Sequence, residues 1–304
     1  LLGVAPTPAI AFLAAKRGCA SAAITASHNP YLDNGVKLFA NGGVKLSDAQ
    51  QDAIESHMTG SATVPSASAA QVDLIGEYAS HIVGLFPVLA FANIRVVLDC
   101  ANGAMSEVAP EVFARLGATV IVLNDRPTGK NINDSCGATH PEVVSEAVRL
   151  HKADLGLAFD GDGDRVIAVD HIGDVVDGDH LIALAAVDLH KRGKLKSNSV
   201  AVTVMTNAGF HQAMEKAGIN VITTPVGDRN ILVAFDEHGL VLGGEQSGHI
   251  IYRDHATTGD GLLAGAMLVD LVRREAQPLA TLARNAMTSL PQTLINIRVA
   301  QVVN

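Results

Sequence analysis

Residues 155–165, Leu-Gly-Leu-Ala-Phe-Asp-Gly-Asp-Gly-Asp-Arg, run apolar for five positions and then place carboxylates at three alternate ones. Such a density of negative charge after a buried strand is costly unless a cation neutralises it, so this stretch constrains the fold more than any other. The glycines at 161 and 163 permit sharp backbone turns that let Asp160, Asp162 and Asp164 converge on one hard ion. An EF-hand loop would need Gly where Arg165 stands and a bidentate Glu where His171 stands, and so is excluded. Three Asp leave a divalent ion short of six oxygens, and Mg²⁺ completed by water and a phosphate oxygen fits that shortfall.

The strand ending at Phe159 belongs to a repeated alternation of strands and helices. Helix Asp73–Leu85 leads to the strand RVVLD, then a helix over 107–116, strand 119–123 and helix 141–151. After the acidic stretch come helix 179–192, strand 199–204, helix 207–217, strand 220–224, helix 228–237, strand 240–243 and helix 261–273. This predicts an α/β chain of consecutive domains with mixed, mostly parallel sheets and helices on both faces, and ligands at the carboxyl ends of strands. A length of 304 residues exceeds one ordinary core. The expected units are 1–70, 71–172, 173–289 and the start of another at 290–304, with Thr59–Ala70 as a small, polar linker and PQTLINIRVAQVVN as a strand. The chain has no initiator Met and is expected to be a fragment.

Near the start, Thr25-Ala-Ser-His-Asn-Pro30 joins two short strands, 20–24 and 36–40. Pro30 pushes Asn29 toward extended geometry and Asp33-Asn34-Gly35 is turn chemistry, so this connection is shaped by its own residues. Ser47 with Gln50 three residues later resembles a capping box for the following helix. Further on, Gly243-Gly-Glu-Gln-Ser-Gly-His249 holds a carboxylate, an amide, a hydroxyl and an imidazole on one turn, groups able to grip a polyol. In Thr224-Pro-Val-Gly-Asp-Arg229, Asp228 reads first as an N-cap and Arg229 as an anion contact. Thr258-Gly-Asp-Gly261 reads as another helix start.

A formal charge of −9 argues against binding a nucleic-acid backbone. No apolar run reaches the ~18 residues of a membrane helix. Cys19, Cys100 and Cys136 are widely spaced and odd in number, as free thiols in a reducing cytoplasm are.

Taken in this order, TASHNP, FDGDGDR, TPVGDR and GGEQSGH resemble the α-D-phosphohexomutase superfamily over essentially the whole chain, and with Cys136-Gly-Ala-Thr-His-Pro-Glu142 they most resemble its bacterial phosphoglucosamine mutase branch. The resemblance implies an intramolecular phosphotransferase acting on a hexose phosphate, interconverting glucosamine 6-phosphate and glucosamine 1-phosphate through a phosphoserine and a bisphosphate intermediate. The alternatives are phosphomannomutase or phosphoglucomutase activity, or phosphosugar binding without turnover.

It further implies that Ser27 carries the phosphate and that Asp160, Asp162 and Asp164 hold Mg²⁺ with the Ser27 phosphate as a further ligand. Lys37 is implied as a general base or acid. Arg165, His28 and His249 then flank the centre, and Glu245 and Ser247 meet sugar hydroxyls. Neither the family's upstream Thr-Asp-Gly strand nor its later Ser-Gly-Thr-rich phosphate loop occurs here. A homodimer is compatible with this reading.

Overall fold

A computed structural model describes residues 1–58, 69–293 and 295. The linker expected at 59–70 and the strand expected in the tail fall almost wholly outside them. Among the described residues no helix is long and apolar enough to cross a membrane.

The first unit opens with α1 (Thr7–Arg17), followed by β1 (Ser21–Thr25), β2 (Gly35–Ala40), β3 (Val44–Lys45) and α2 (Asp48–His57). α1 was not expected: Pro6 and Pro8 start it in place of a polar cap, and Gly18 ends it at φ 60°. β1, β2 and β3 form an antiparallel sheet whose register sets Thr25 opposite Gly35 and Ala23 opposite Lys37. The TASHNP loop is therefore the connection of a hairpin, held at both ends. α2 begins at the Ser47–Gln50 capping box, with both reciprocal bonds present.

The second unit contains α3 (Ile75–Gly84), β4 (Arg95–Asp99), α4 (Met105–Arg115), β5 (Thr119–Leu123), α5 (Pro141–His151), β6 (Leu155–Phe159), β7 (Val166–Asp170) and β8 (Val175–Val176). Its sheet has the order β5-β4-β6-β7-β8. β5, β4 and β6 are parallel, as the alternation predicts, whereas β7 and β8 return antiparallel. β7 escapes sequence patterning because all five of its residues are buried and show no alternation. Its pairing, Phe159 opposite Val166, makes the acidic stretch the turn of a hairpin.

The third unit repeats the plan with α6 (Gly178–Lys191), β9 (Ser199–Thr203), α7 (Ala208–Lys216), β10 (Asn220–Thr224), α8 (Asp228–His238), β11 (Leu242–Gly244), β12 (Ile250–Tyr252), α9 (Gly261–Glu275) and α10 (Leu279–Ala286). The order is β10-β9-β11-β12 with only β12 antiparallel, so GGEQSGH is also a hairpin turn. One hydrophobic cluster runs from Ala9 through Phe113 and Leu157 to Leu263 and Leu282, joining all three units.

A buried polar pair crosses that core. The Tyr78 hydroxyl of α3 donates to Asp260 Oδ1 at 2.8 Å, and Asp260 caps α9 by accepting from Leu263 N. Burial raises the Asp260 carboxyl to about 6, so the folded chain holds its proton more tightly than the unfolded one. Its contribution is therefore intact below the ordinary carboxylate range and is lost as pH rises through about 6. Tyr78→Phe is expected to cost about 1–3 kcal/mol. The deficit should be larger near neutral pH, where the orphaned group is charged, than near pH ~5. Urea unfolding of both chains at the two pH values checks this.

Candidate active site

The hairpin turn between β6 and β7 brings Asp160, Asp162 and Asp164 together, with ligand-capable oxygens all within 4.8 Å of one another and each residue no more than 4% exposed. One backbone and one side-chain donor offset part of their desolvation: Arg165 N donates to Asp160 Oδ1 at 3.1 Å, and the Thr7 hydroxyl donates to Asp162 Oδ2 at 2.6 Å. Among the described residues, Asp162 Oδ1 and Asp164 Oδ1 have no hydrogen-bond partner although both are buried. Buried carboxylate oxygens without a donor are what a hard divalent cation satisfies, so the donor set fits one. Burial, then repulsion from Asp164 and Asp162, pushes Asp160 well above the usual carboxylate range. Burial acts the same way on Asp164, but His249 and Lys37 outweigh it and hold that carboxyl well below.

Ser27 faces this cluster from the first unit. Its Oγ lies 3.4 Å from Asp160 Oδ2 and 3.4 Å from His28 Nδ1, and its backbone is left-handed at φ 52°. Gly161 makes the approach feasible, since a Cβ there would sit 2.6 Å from the Ser27 carbonyl oxygen. His28 is lowered by burial and then by Arg165. Among the described residues no carboxylate is hydrogen-bonded to its ring, so the serine has no relay of the hydrolase kind there.

Lys37, on β2, places Nζ 2.6 Å from Asp162 Oδ2 and 2.7 Å from Asp164 Oδ2. Burial alone would lower its pKa, but Asp164 and Asp162 reverse the sign and hold it above the usual lysine value. Arg165 Nε is 3.9 Å from Asp164 Oδ1. His249, only 3% exposed, lies with Nδ1 3.6 Å from Asp164 Oδ1 and accepts from Gly259 N at Nε2, 3.2 Å. That bond leaves the ring proton on Nδ1, toward Asp164.

The expectation that Asp228 caps α8 is corrected: Gly227 is the N-cap and makes no side-chain cap, while Asp228 lies in the first turn. Its carboxylate is drawn instead to Lys45 of β3 and stands 3.4 Å from His249 Nε2. Lys45, missed in the sequence, is mostly buried and brought down to about 8 by desolvation. Asp260 does cap its helix, as Thr258–Gly261 predicted. Glu245 accepts from Gly227 N at 3.2 Å, tying two third-unit loops together, and Ser247 stays exposed. Arg229, expected to meet an anion, is engaged by Asp48 and Gln51 of α2.

Three consecutive α/β units with a serine hairpin, an acidic hairpin and a polar hairpin facing one another define a phosphohexomutase arrangement. Family models agree: residues 1–64, 76–173 and 177–290 match α/β/α domains I, II and III of phosphoglucomutase/phosphomannomutase. Phosphoglucosamine mutase of Frankia casuarinae is 49% identical over 98% of this chain and 66% of its own length. That of Rhodococcus opacus is 46% identical over 98% of this chain and 68% of its own. The chain belongs to the phosphoglucosamine mutase family. It spans about two thirds of the curated relatives it matches, 66% of the Frankia protein.

Solved structures place the fold independently. A putative phosphomannomutase from Thermus thermophilus superposes with TM-score 0.85 at 22% identity, covering 93% of this chain and 66% of that one. Aspergillus fumigatus N-acetylphosphoglucosamine mutase, solved in complex with GlcNAc-6P and magnesium, gives 0.71 at 18% identity, with 97% of this chain and 79% of that one covered.

Proposed function

We propose that this chain carries the catalytic centre of a phosphoglucosamine mutase, with Ser27 as the phosphoryl carrier. The observation that carries the reading is the approach of Ser27 Oγ to Asp160 in a cluster whose Asp162 and Asp164 retain unsatisfied oxygens. Asp160, Asp162 and Asp164 would hold Mg²⁺, which supplies charge neutralisation to the transferring phosphoryl group. The serine hairpin presents the phosphate and the sugar hydroxyl attacks it. The bond from phosphorus to Ser27 Oγ breaks, one to the sugar oxygen forms, the proton of that hydroxyl passes to Lys37 once a cation has neutralised Asp162 and Asp164, and Ser27 later recovers a phosphate from the bisphosphate by the reverse steps. Arg165 offsets negative charge at the centre, which His28 and His249 line, while Glu245 and Ser247 orient sugar hydroxyls from the β11–β12 turn.

The domain boundaries at 70, 172 and 289 accompany this reading: each unit contributes one hairpin, and the reacting atoms meet between them. A coupled assay with glucosamine, glucose and mannose phosphates in Mg²⁺ tests it. Glucosamine phosphate is expected to turn over fastest, with loss of turnover on chelation and recovery on adding Mg²⁺ back. Preference for glucose or mannose phosphate would reassign the sugar, and binding without turnover would overturn the enzymatic reading.

A further inference from the structure

The geometry points to Asn133, in the loop between β5 and α5, as a positioning residue for Ser27; this rests on the phosphoserine reading above. The Asn133 amide nitrogen donates to two carbonyls of the serine loop at once, Ser27 O at 2.8 Å and Asn29 O at 2.8 Å. One of those bonds falls on the carbonyl of Ser27 itself and the other on the carbonyl two residues further along the same turn. A non-glycine residue at φ 52° is strained and persists only where its surroundings over-determine it. The Ser27 carbonyl is confined on its other side by Gly161 of the acidic turn, so its direction is set jointly by the second unit's two loops.

Asn133 is itself held. It is 9% exposed and left-handed at φ 57°, a conformation Asn tolerates, and its backbone N donates to Ala101 O at 2.9 Å. Behind it the fully buried Asp99, at the end of β4, accepts from Ala101 N and from Gly137 N, each at 2.9 Å. The support therefore runs from a buried carboxylate in the sheet, through the 101 and 137 turns, to the side chain that grips the serine hairpin. None of these residues touches the sugar loop or the three aspartates by a side-chain hydrogen bond, so the role is to aim Ser27.

The test compares Asn133→Ala and Asn133→Asp with Asn131→Ala as control. Asn131 caps its own loop through Thr128 N and Arg126 O and makes no bond to the serine hairpin. Asn133→Asp keeps the size and the backbone preference but removes both donors and turns an oxygen toward the carbonyls. Both Asn133 variants are expected to lose about a hundredfold in kcat with KM within about threefold, because a misplacement of about 1 Å costs that much. Mn²⁺ affinity measured by calorimetry should be unchanged. In phosphorus NMR, Mn²⁺ should broaden the phosphoserine signal of the unsubstituted protein and of Asn131→Ala far more than that of either Asn133 variant.

Wild-type kcat with unchanged broadening in the Asn133 variants would overturn the assignment. So would an equal loss in Asn131→Ala, which would make loop order the cause, or failure of Asn133→Asp to fold, which would make Asn133 a fold residue. Failure of the underlying reading shows separately, as an unsubstituted protein that never carries phosphate on Ser27.

Discussion

Replacing Ser27 with alanine is expected to abolish mutase turnover while leaving sugar-phosphate binding within about tenfold, roughly 1.4 kcal/mol. The two effects separate because the substitution removes the transferable group and nothing that grips the sugar. Glu245 is placed by Gly227 and Ser247 lies on the β11–β12 turn, both in the third unit, whereas Ser27 is in the first. A serine hydroxyl without a backed imidazole has no independent nucleophilic route: the His28 contact is 3.4 Å long and, among the described residues, no carboxylate is hydrogen-bonded to that ring. On the proposed mechanism the serine serves only by carrying phosphate. Turnover by coupled assay, with binding by calorimetry on the same sample, reads both numbers. Substantial turnover in Ser27→Ala would remove the phosphoserine from the mechanism.

Lys37→Ala should leave Ser27 able to carry phosphate yet slow transfer by roughly 10²–10⁴, the range for a positioned acid–base group. Lys37 contacts two of the three aspartates and not the serine, so its removal leaves the attachment point of the phosphate intact, while loading from the bisphosphate, the reverse of transfer, slows together with it. In that contact the carboxylates keep it protonated, which suits it to donate a proton or to balance charge. It accepts a proton from a sugar hydroxyl only when Asp162 and Asp164 are neutralised by another cation. Rapid-quench transfer from phosphorylated protein to sugar phosphate measures the step alone. A rate within threefold of the unsubstituted protein would exclude Lys37 from proton transfer.

Much of the site could be read from short stretches because their chemistry is local. Asp160, Asp162 and Asp164 lie within five residues, and a strand ahead of glycine-spaced carboxylates has few uses besides holding a cation. The Asn-Pro and Asp-Asn-Gly signals marked the serine loop as shaped for similar reasons. Residues that act over long separations left no such trace. Thr7 meets Asp162 across 155 positions and Asn133 meets Ser27 across 106, and neither carries a motif.

Lys45 carries no motif and is set against Asp228 by β3, and the same pairing engages the Asp228 carboxylate whose position suggested a cap. In the fold, the parallel strands and their helices followed from periodicity. β7 and β12 did not, because a fully buried return strand and a three-residue strand lack alternation. α1 was hidden by an apolar, proline-started beginning with no polar cap.

The proposed mechanism requires one covalent bond, between phosphate and Ser27 Oγ. The direct measurement is to incubate the protein with Mg²⁺ and hexose 1,6-bisphosphate, take its intact mass, and locate any added phosphate by peptide fragmentation. The expected result is a single phosphate, on the peptide containing Thr25-Ala-Ser-His-Asn-Pro30, and its loss to added glucosamine 6-phosphate. A phosphate on any other residue, or none while mutase turnover proceeds, would contradict it.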